Sequence, residues 1–247
     1  MTRRVRLDQL LVERGLAPSR ARAQALILAG RALVGGTRVD KAGTLVAATA
    51  DLTLKGEAIP FVSRGGVKLA GAIDTLRVPI AGRTCLDVGA STGGFTDCLL
   101  QRGAKSVAAV DVGYGQLAAK LRSDPRVLVR ERTNARALVP EDIGGAVDLT
   151  VVDASFIGLG KLLPAIARCT RPGGELLALV KPQFEVGRDE AKKTRGVVRD
   201  EALRARAIEV VVAEIERAGF RVLGRCDSSL PGPRGNVEAF VWAARVL

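Results

Sequence analysis

The chain of 247 residues contains no histidine. That absence excludes Ser-His and Cys-His nucleophile pairs, His-liganded zinc and imidazole as a general base. Acid–base chemistry then falls to Lys, Asp, Glu, Tyr or Cys. Aromatic residues are scarce, at six Phe, one Tyr and one Trp, which argues against an aromatic platform as the main hold on nucleic acid. Cys85, Cys98, Cys169 and Cys226 show no C-x-x-C spacing, so no zinc knuckle and no other metal site is expected. No uninterrupted apolar run reaches the roughly 18 residues of a membrane span. Met1-Thr2-Arg3-Arg4 opens no signal-peptide pattern. The expectation is a cytoplasmic protein with reduced thiols and no transmembrane segment.

What is present is an apolar fraction of 47% beside 26% charged residues, the balance of a chain that buries a real core. Lys and Arg number 38 against 26 Asp and Glu, a formal charge of +12. Such an excess favours polyanionic partners, nucleic acid or an anionic membrane surface. At roughly 100–200 residues per domain, the length suggests one large unit, or one large and one small.

The texture changes near residue 60. Residues 6–14 place Leu7, Leu10 and Leu11 on one helical face and end at Gly15. A second helix, with Ser19 as N-cap, runs to Gly30. The β-type pieces RALV, TRV and LTL follow, between glycine turns. From Thr84 onward, TCLDV, SVAAVDV, RVLVR, VDLTVVD and ELLALV read as buried parallel strands. Helical stretches near 94–102, 115–122, 159–168 and 200–217 alternate with them, and RVLGRCDSSL with NVEAFVWAARVL reads as a closing strand pair. The fold class expected is α/β, a seven-stranded Rossmann-like sheet, mostly parallel with one antiparallel strand, preceded by a small α+β module. The boundaries expected are a module over 1–60, a linker and leading helix over 61–82, and a catalytic domain over 83–247.

TCLDV runs into Gly89-Ala90-Ser91-Thr92-Gly93-Gly94-Phe95. Glycines there let a cofactor approach the backbone, and the following helix N-terminus offers oriented N–H groups. The dinucleotide fingerprint G-x-G-x-x-G is not met, because Ser91 holds its second glycine position. The acid-x-Gly-x-x-x-Gly-Gly-Phe turn resembles the first motif of S-adenosylmethionine-dependent methyltransferases; a nucleotide cofactor is the alternative. Asp111, ending the next strand, is placed to accept from both ribose hydroxyls. The cofactor-binding candidates are Asp87, Gly89, Ser91, Gly93, Gly94, Phe95 and Asp111, with Asn134 past the third strand and Asp153 towards the methionine end.

Charged residues stand where apolar strands should carry none: Asp153 ends LTVVD, Lys181 ends LLALV, and Glu238 interrupts NVEAFVW. Carboxyl ends of strands form the ligand crevice of an open sheet. Lys68, in SRGGVKLAGA, belongs to a helix expected near the same opening. The order Lys68, Asp153, Lys181, Glu238, together with DVGASTGGF, resembles the Lys-Asp-Lys-Glu tetrad of FtsJ-like ribose 2′-O-methyltransferases. Residues 1–60 resemble the S4-like RNA-binding module. Joined to SRGGVKL, VVDASFI and VKPQFE, the arrangement is similar to the TlyA family over essentially the whole chain. That resemblance implies methylation of a ribosomal RNA cytidine in ribosomal subunits, with S-adenosylmethionine as cofactor; the family also carries an older haemolysin name.

In that reading a ribose hydroxyl must lose its proton as it attacks the methyl group, and in-line placement is most of the work. Lys181, desolvated and crowded by Lys68, serves as base or orienting group, while Asp153 and Glu238 orient the two lysines. Residues 1–60 hold ten Lys or Arg against five acids; Arg3, Arg4, Arg6, Arg20, Arg22 and Lys41 are the RNA-binding candidates. Residues 184–200 lack an apolar period and read as a mobile loop beside Lys181 that RNA would order. Three alternatives stay open: a non-catalytic ribosome-binding factor, a membrane-lytic protein and a base methyltransferase. Carbon-5 methylation would need a nucleophilic Cys, and no Cys here sits in a suitable motif.

Overall fold

The structure, a computed structural model, describes residues 3–55, 60–155, 157–186, 196–232 and 235–246. The chain divides into two compact units, Met1–Ala58 and Ile59–Leu247.

The first unit runs β1 (Arg4–Arg6), α1 (Leu7–Glu13), α2 (Arg20–Leu28), β2 (Ala32–Val34), β3 (Thr37–Arg38), β4 (Leu45–Ala47) and β5 (Leu52–Leu54). β1 pairs with β4, and β2 lies between β3 and β5. Leu7, Leu10 and Leu11 of α1 meet Ala23, Leu26 and Ile27 of α2 in one buried cluster, as spacings of three and four residues require of a helix face. Gly15 ends α1 at a φ of 70°. Ser19 caps α2, its Oγ accepting from the Arg22 N–H at 3.3 Å.

The second unit contains α3 (Arg64–Leu76), β6 (Thr84–Val88), α4 (Gly94–Gln101), β7 (Ser106–Val110), α5 (Ala119–Arg122), β8 (Val127–Arg130), β9 (Val147–Val152), α6 (Leu163–Cys169), β10 (Thr170–Val180), α7 (Pro182–Glu185), α8 (Glu201–Arg217), β11 (Phe220–Asp227) and β12 (Ala239–Arg245). One seven-stranded sheet has the order β11-β12-β10-β9-β6-β7-β8. β12 is antiparallel to both its neighbours, and the pairs from β10 through β8 are parallel. Both faces of the sheet are covered, which is why its strands read as continuous apolar runs. Leu86 and Val88 of β6 pack with α6 and α8, whereas Cys85 packs with α3 and α4.

One reading from sequence holds and two are corrected. The closing strands form the expected antiparallel pair at one edge of the sheet, with β12 as its inner strand between β11 and β10. The helix expected over 115–122 shortens to α5: Gly115 takes a φ of 69°, and the Ala118 N–H is used by Thr92 O at 3.1 Å. Within 184–200, Phe184 and Glu185 belong to α7, and Asn236 anchors the far end. Its Oδ1 accepts from the Val198 N–H and its Nδ2 donates to Gly196 O, each at 2.9 Å. The remainder of that expected loop, 187–195, lies outside the described residues.

Candidate active site

The topology gathers the charged strand ends. Asp111, Asp153 and Lys181 each follow directly on the last residue of β7, β9 and β10, and Glu238 directly precedes β12. Val180 pairs with Ala239 across the antiparallel register, so the start of β12 lies beside the end of β10. An antiparallel strand is what lets a residue at a strand's beginning join residues at the ends of parallel ones.

Two lysine–carboxylate pairs result. Lys68 Nζ lies 2.5 Å from Glu238 Oε2, and these residues are only 7% and 1% exposed. Lys181 Nζ lies 2.6 Å from Asp153 Oδ1 and donates to Ser155 Oγ at 2.7 Å. Each lysine thus has its own carboxylate, and the group that Lys181 meets first is Asp153 rather than the crowding lysine expected from sequence. Ser155 was not singled out by sequence reasoning. Its signal lay in VVDASFI, a hydroxyl two residues past the strand-end acid.

Asp87, on the face of β6 turned to α4, accepts from Thr96 N–H at 2.9 Å and from Thr96 Oγ1 at 2.7 Å through Oδ2. Its Oδ1 is buried with no hydrogen-bond partner. Burial lifts the Asp87 carboxyl to about 7; the Thr96 bonds oppose the rise, and the nearby Asp153 and Asp111 charges add to it. Asp111 accepts from Ser91 N–H at 2.8 Å and from Gly113 N–H at 2.7 Å, one bond to each oxygen. The carboxylate thereby ties the glycine turn to the turn after β7 and keeps lone pairs for a ligand hydroxyl. Ser91 sits at a φ of 47°, a costly conformation for a residue with a Cβ.

The glycines of the turn serve the protein's own packing. A Cβ on Gly89, whose φ is +86°, would lie 2.8 Å from Asp153 O. One on Gly94 would collide with Ser63 Oγ, where the starts of α3 and α4 meet. Gly93 is the N-cap of α4. The Phe95 side chain is buried, its ring 6.0 Å from that of Phe240. Asn134 is exposed, and its Oδ1 accepts from the Arg136 N–H at 3.1 Å to cap a short 3-10 turn.

The four cysteines are free, and Cys85, Cys98 and Cys169 are buried. Burial pushes the thiols of Cys85 and Cys98 up to about 12, away from the thiolate a Cys nucleophile needs.

In the first unit, the basic candidates are not all free. Asp8, with no exposed surface, receives both Arg6 Nε and Nη2 at 3.0 Å, Arg20 Nη2 at 3.2 Å and Gln24 Nε2 at 2.9 Å. The Arg6 guanidinium above all holds its carboxyl far below the usual range. Arg6 and Arg20 are therefore oriented by a buried anion while remaining exposed; Arg3, Arg4 and Lys41 are exposed and Arg22 is half-buried.

A parallel sheet with one inserted antiparallel strand, a glycine turn after its central strand and acids at the ends of the next strands defines a Rossmann-like methyltransferase. Residues 61–245 match the FtsJ-like methyltransferase family and residues 5–52 the S4 domain. The chain belongs to the FtsJ-like methyltransferases and carries an S4 domain ahead of the catalytic unit. It is 51% identical to the 16S/23S rRNA (cytidine-2′-O)-methyltransferase TlyA of Mycobacterium tuberculosis, over 98% of this chain and 90% of that protein. It is 38% identical to Hemolysin A of Brachyspira hyodysenteriae, over 95% of this chain and 97% of that one. A solved Streptococcus thermophilus protein with a hemolysin name superposes with a TM-score of 0.78 at 39% identity, covering 100% of this chain and 90% of that one.

Proposed function

We propose that the chain transfers the methyl group of S-adenosylmethionine to the 2′-hydroxyl of a ribosomal RNA cytidine, presented in ribosomal subunits in the cytoplasm. The observation that carries this reading is the pair of desolvated lysine–carboxylate contacts, Lys68 with Glu238 and Lys181 with Asp153, beside the glycine turn. The cofactor fits the residues present. Its sulfonium and ammonium are cationic, and Asp87, Asp111 and Asp153 bring acid groups to the ends of β6, β7 and β9, with Asp87 Oδ1 still lacking a partner.

S-adenosylmethionine supplies an electrophilic methyl carbon. The chain's part is to place the ribose hydroxyl in line and remove its proton as the carbon–oxygen bond forms and the carbon–sulfur bond breaks. Asp153 and Ser155 fix the Lys181 nitrogen, which acts on the hydroxyl as base or orienting group. Lys68 and Glu238 supply the second lysine–carboxylate pair of the site. The S4 domain, with Arg3, Arg4, Arg6, Arg20, Arg22 and Lys41, holds phosphates and sets register; we assign 1–60 to that domain, 61–82 to the linker and leading helix, and 83–247 to the catalytic domain.

Burial of three of the four thiols speaks against carbon-5 base methylation. Among the described residues no helix is long and apolar enough to cross a membrane, so the hemolysin names of the relatives find no spanning helix here. Incubation with labelled cofactor and unmodified subunits, digestion to nucleosides and mass spectrometry should reveal 2′-O-methylcytidine. Its absence, or a methylated base in its place, would sink the reading.

A further inference from the structure

The turn between β7 and α5 carries Tyr114, the one tyrosine of the sequence, with 68% of its surface exposed. The Arg132 guanidinium carbon lies 4.1 Å from the centroid of its ring, a cation–π stack. Arg132 adopts a φ of 54°, in the left-handed region that non-glycine residues seldom occupy. The Arg132 N–H bonded to Gly113 O and the Thr133 N–H bonded to Asp111 O, each at 2.9 Å, hold it there. Among the described residues no carboxylate pairs with Arg132. Two exposed groups are thus held face to face by a strained backbone, with an uncompensated positive charge between them. They stand three residues beyond Asp111 in one turn and two residues past the end of β8 in the other, at the same carboxyl edge of the parallel strands where Asp153 and Lys181 follow β9 and β10.

We propose that Tyr114 and Arg132 form a stacking site for one unpaired RNA nucleotide neighbouring the methylated one. The inference rests on the RNA methyltransferase reading above and names residues that present the substrate. With one face under the guanidinium and most of its surface still in solvent, the ring offers its other face and edge to a base. The guanidinium offers a partner for that nucleotide's phosphate. An RNA nucleotide brings both a base and a phosphate, whereas the cofactor brings an adenine without a phosphate, and this favours RNA as the occupant. A single stack suits a chain poor in aromatics: it sets which nucleotide enters and leaves bulk affinity to Lys and Arg.

The test uses the full chain with unmodified ribosomal subunits. Tyr114→Ala should raise the KM for subunits and weaken their binding by about five- to a hundredfold, the range of one lost base stack. The kcat at saturation and the affinity for S-adenosylmethionine by calorimetry should stay within about twofold. Tyr114→Phe, which keeps the ring, should match wild type. Arg132→Gln should weaken binding and lower its salt dependence by about one phosphate contact. Loss of cofactor affinity in parallel with KM in Tyr114→Ala would overturn the proposal and make the ring a cover for adenine. Unchanged subunit binding and KM would overturn it as a mere surface contact. Subunit binding is read separately from turnover, so a wild type that binds but does not methylate refutes the parent reading alone.

Discussion

Substituting Glu238 by Gln tests whether its pair with Lys68 holds the end of the sheet together as well as shaping the site. The two residues are 1% and 7% exposed, and Nζ and Oε2 are 2.5 Å apart. Removing one charge strands an ammonium in a poorly solvated place, which costs about 3–5 kcal/mol. With a urea slope of about 2 kcal/mol per molar, the unfolding midpoint of the second unit should fall by roughly 1.5–2.5 M. Trp242, the chain's one tryptophan, lies on the same strand that Glu238 precedes and donates Nε1–H to Glu175 at 3.0 Å. Its fluorescence therefore reports unfolding of that unit.

The companion variant removes both charges, Lys68→Met with Glu238→Leu. An apolar pair of similar volume replaces a buried ion pair at little cost or with a gain, so the double variant should recover most of the stability lost in the single one. The coupling should be at least about 2 kcal/mol, as expected for residues in direct contact. Methyl transfer should stay at least about a hundredfold down, because neither group remains to shape the crevice. The reasoning is refuted if Glu238→Gln unfolds within about 0.5 kcal/mol of wild type, or if the double variant regains activity along with stability.

Lys181→Ala should abolish methyl transfer while calorimetry shows cofactor binding retained; Ser155→Ala should lower kcat about tenfold or more with cofactor affinity intact, and Ser155→Thr should restore part of it. The Asp87 carboxyl is raised to about 7, so the native state keeps a proton that the unfolded chain sheds near pH 4. Its contribution to stability is therefore full below about pH 4, falls between about 4 and 7 and is gone above. The difference between wild type and Asp87→Asn in urea midpoint should follow that trend, and a flat difference would show that Asp87 ionises like a surface acid. Asp8→Asn should cost the first unit about 3 kcal/mol, since its buried carboxylate organises Arg6, Arg20 and Gln24. Circular-dichroism melting should show an earlier transition, and subunit binding should weaken even though the substitution removes a negative charge.

The strands were legible because each is buried on both faces and leaves an unbroken apolar run. The charges ending them were legible for the same reason: Asp153 and Lys181 stand out against LTVV and LLALV. Periodicity carries no such information about order in space: it reads a closing pair, but that β12 is its inner strand follows only from the register that places Ala239 beside Val180. The direction of the Phe95 ring was not legible, because proximity to a glycine turn says nothing about it, and helix α4 turns it to Phe240. Ser155 escaped notice because a serine after a strand is ordinary in sequence and becomes specific only at 2.7 Å from an amine. Arg6 and Arg20 were legible only as RNA-binding candidates, because nothing in the spacing marks Asp8 as the buried anion that orients them.

These cases share a cause. In the reading proposed for this chain without histidine, acid–base work falls to lysines, and a lysine withdrawn from water needs an anion of its own. The protein therefore brings each lysine its carboxylate from another element: Glu238 lies 170 residues beyond Lys68, and Asp153 comes from the strand next to that of Lys181. Sequence supplies the four residue types at four strand or helix positions, but pairing them is a property of the sheet order. The antiparallel strand is the decisive element, since a parallel β12 would carry its first residue to the far end of the sheet and leave Lys68 buried without a counter-charge.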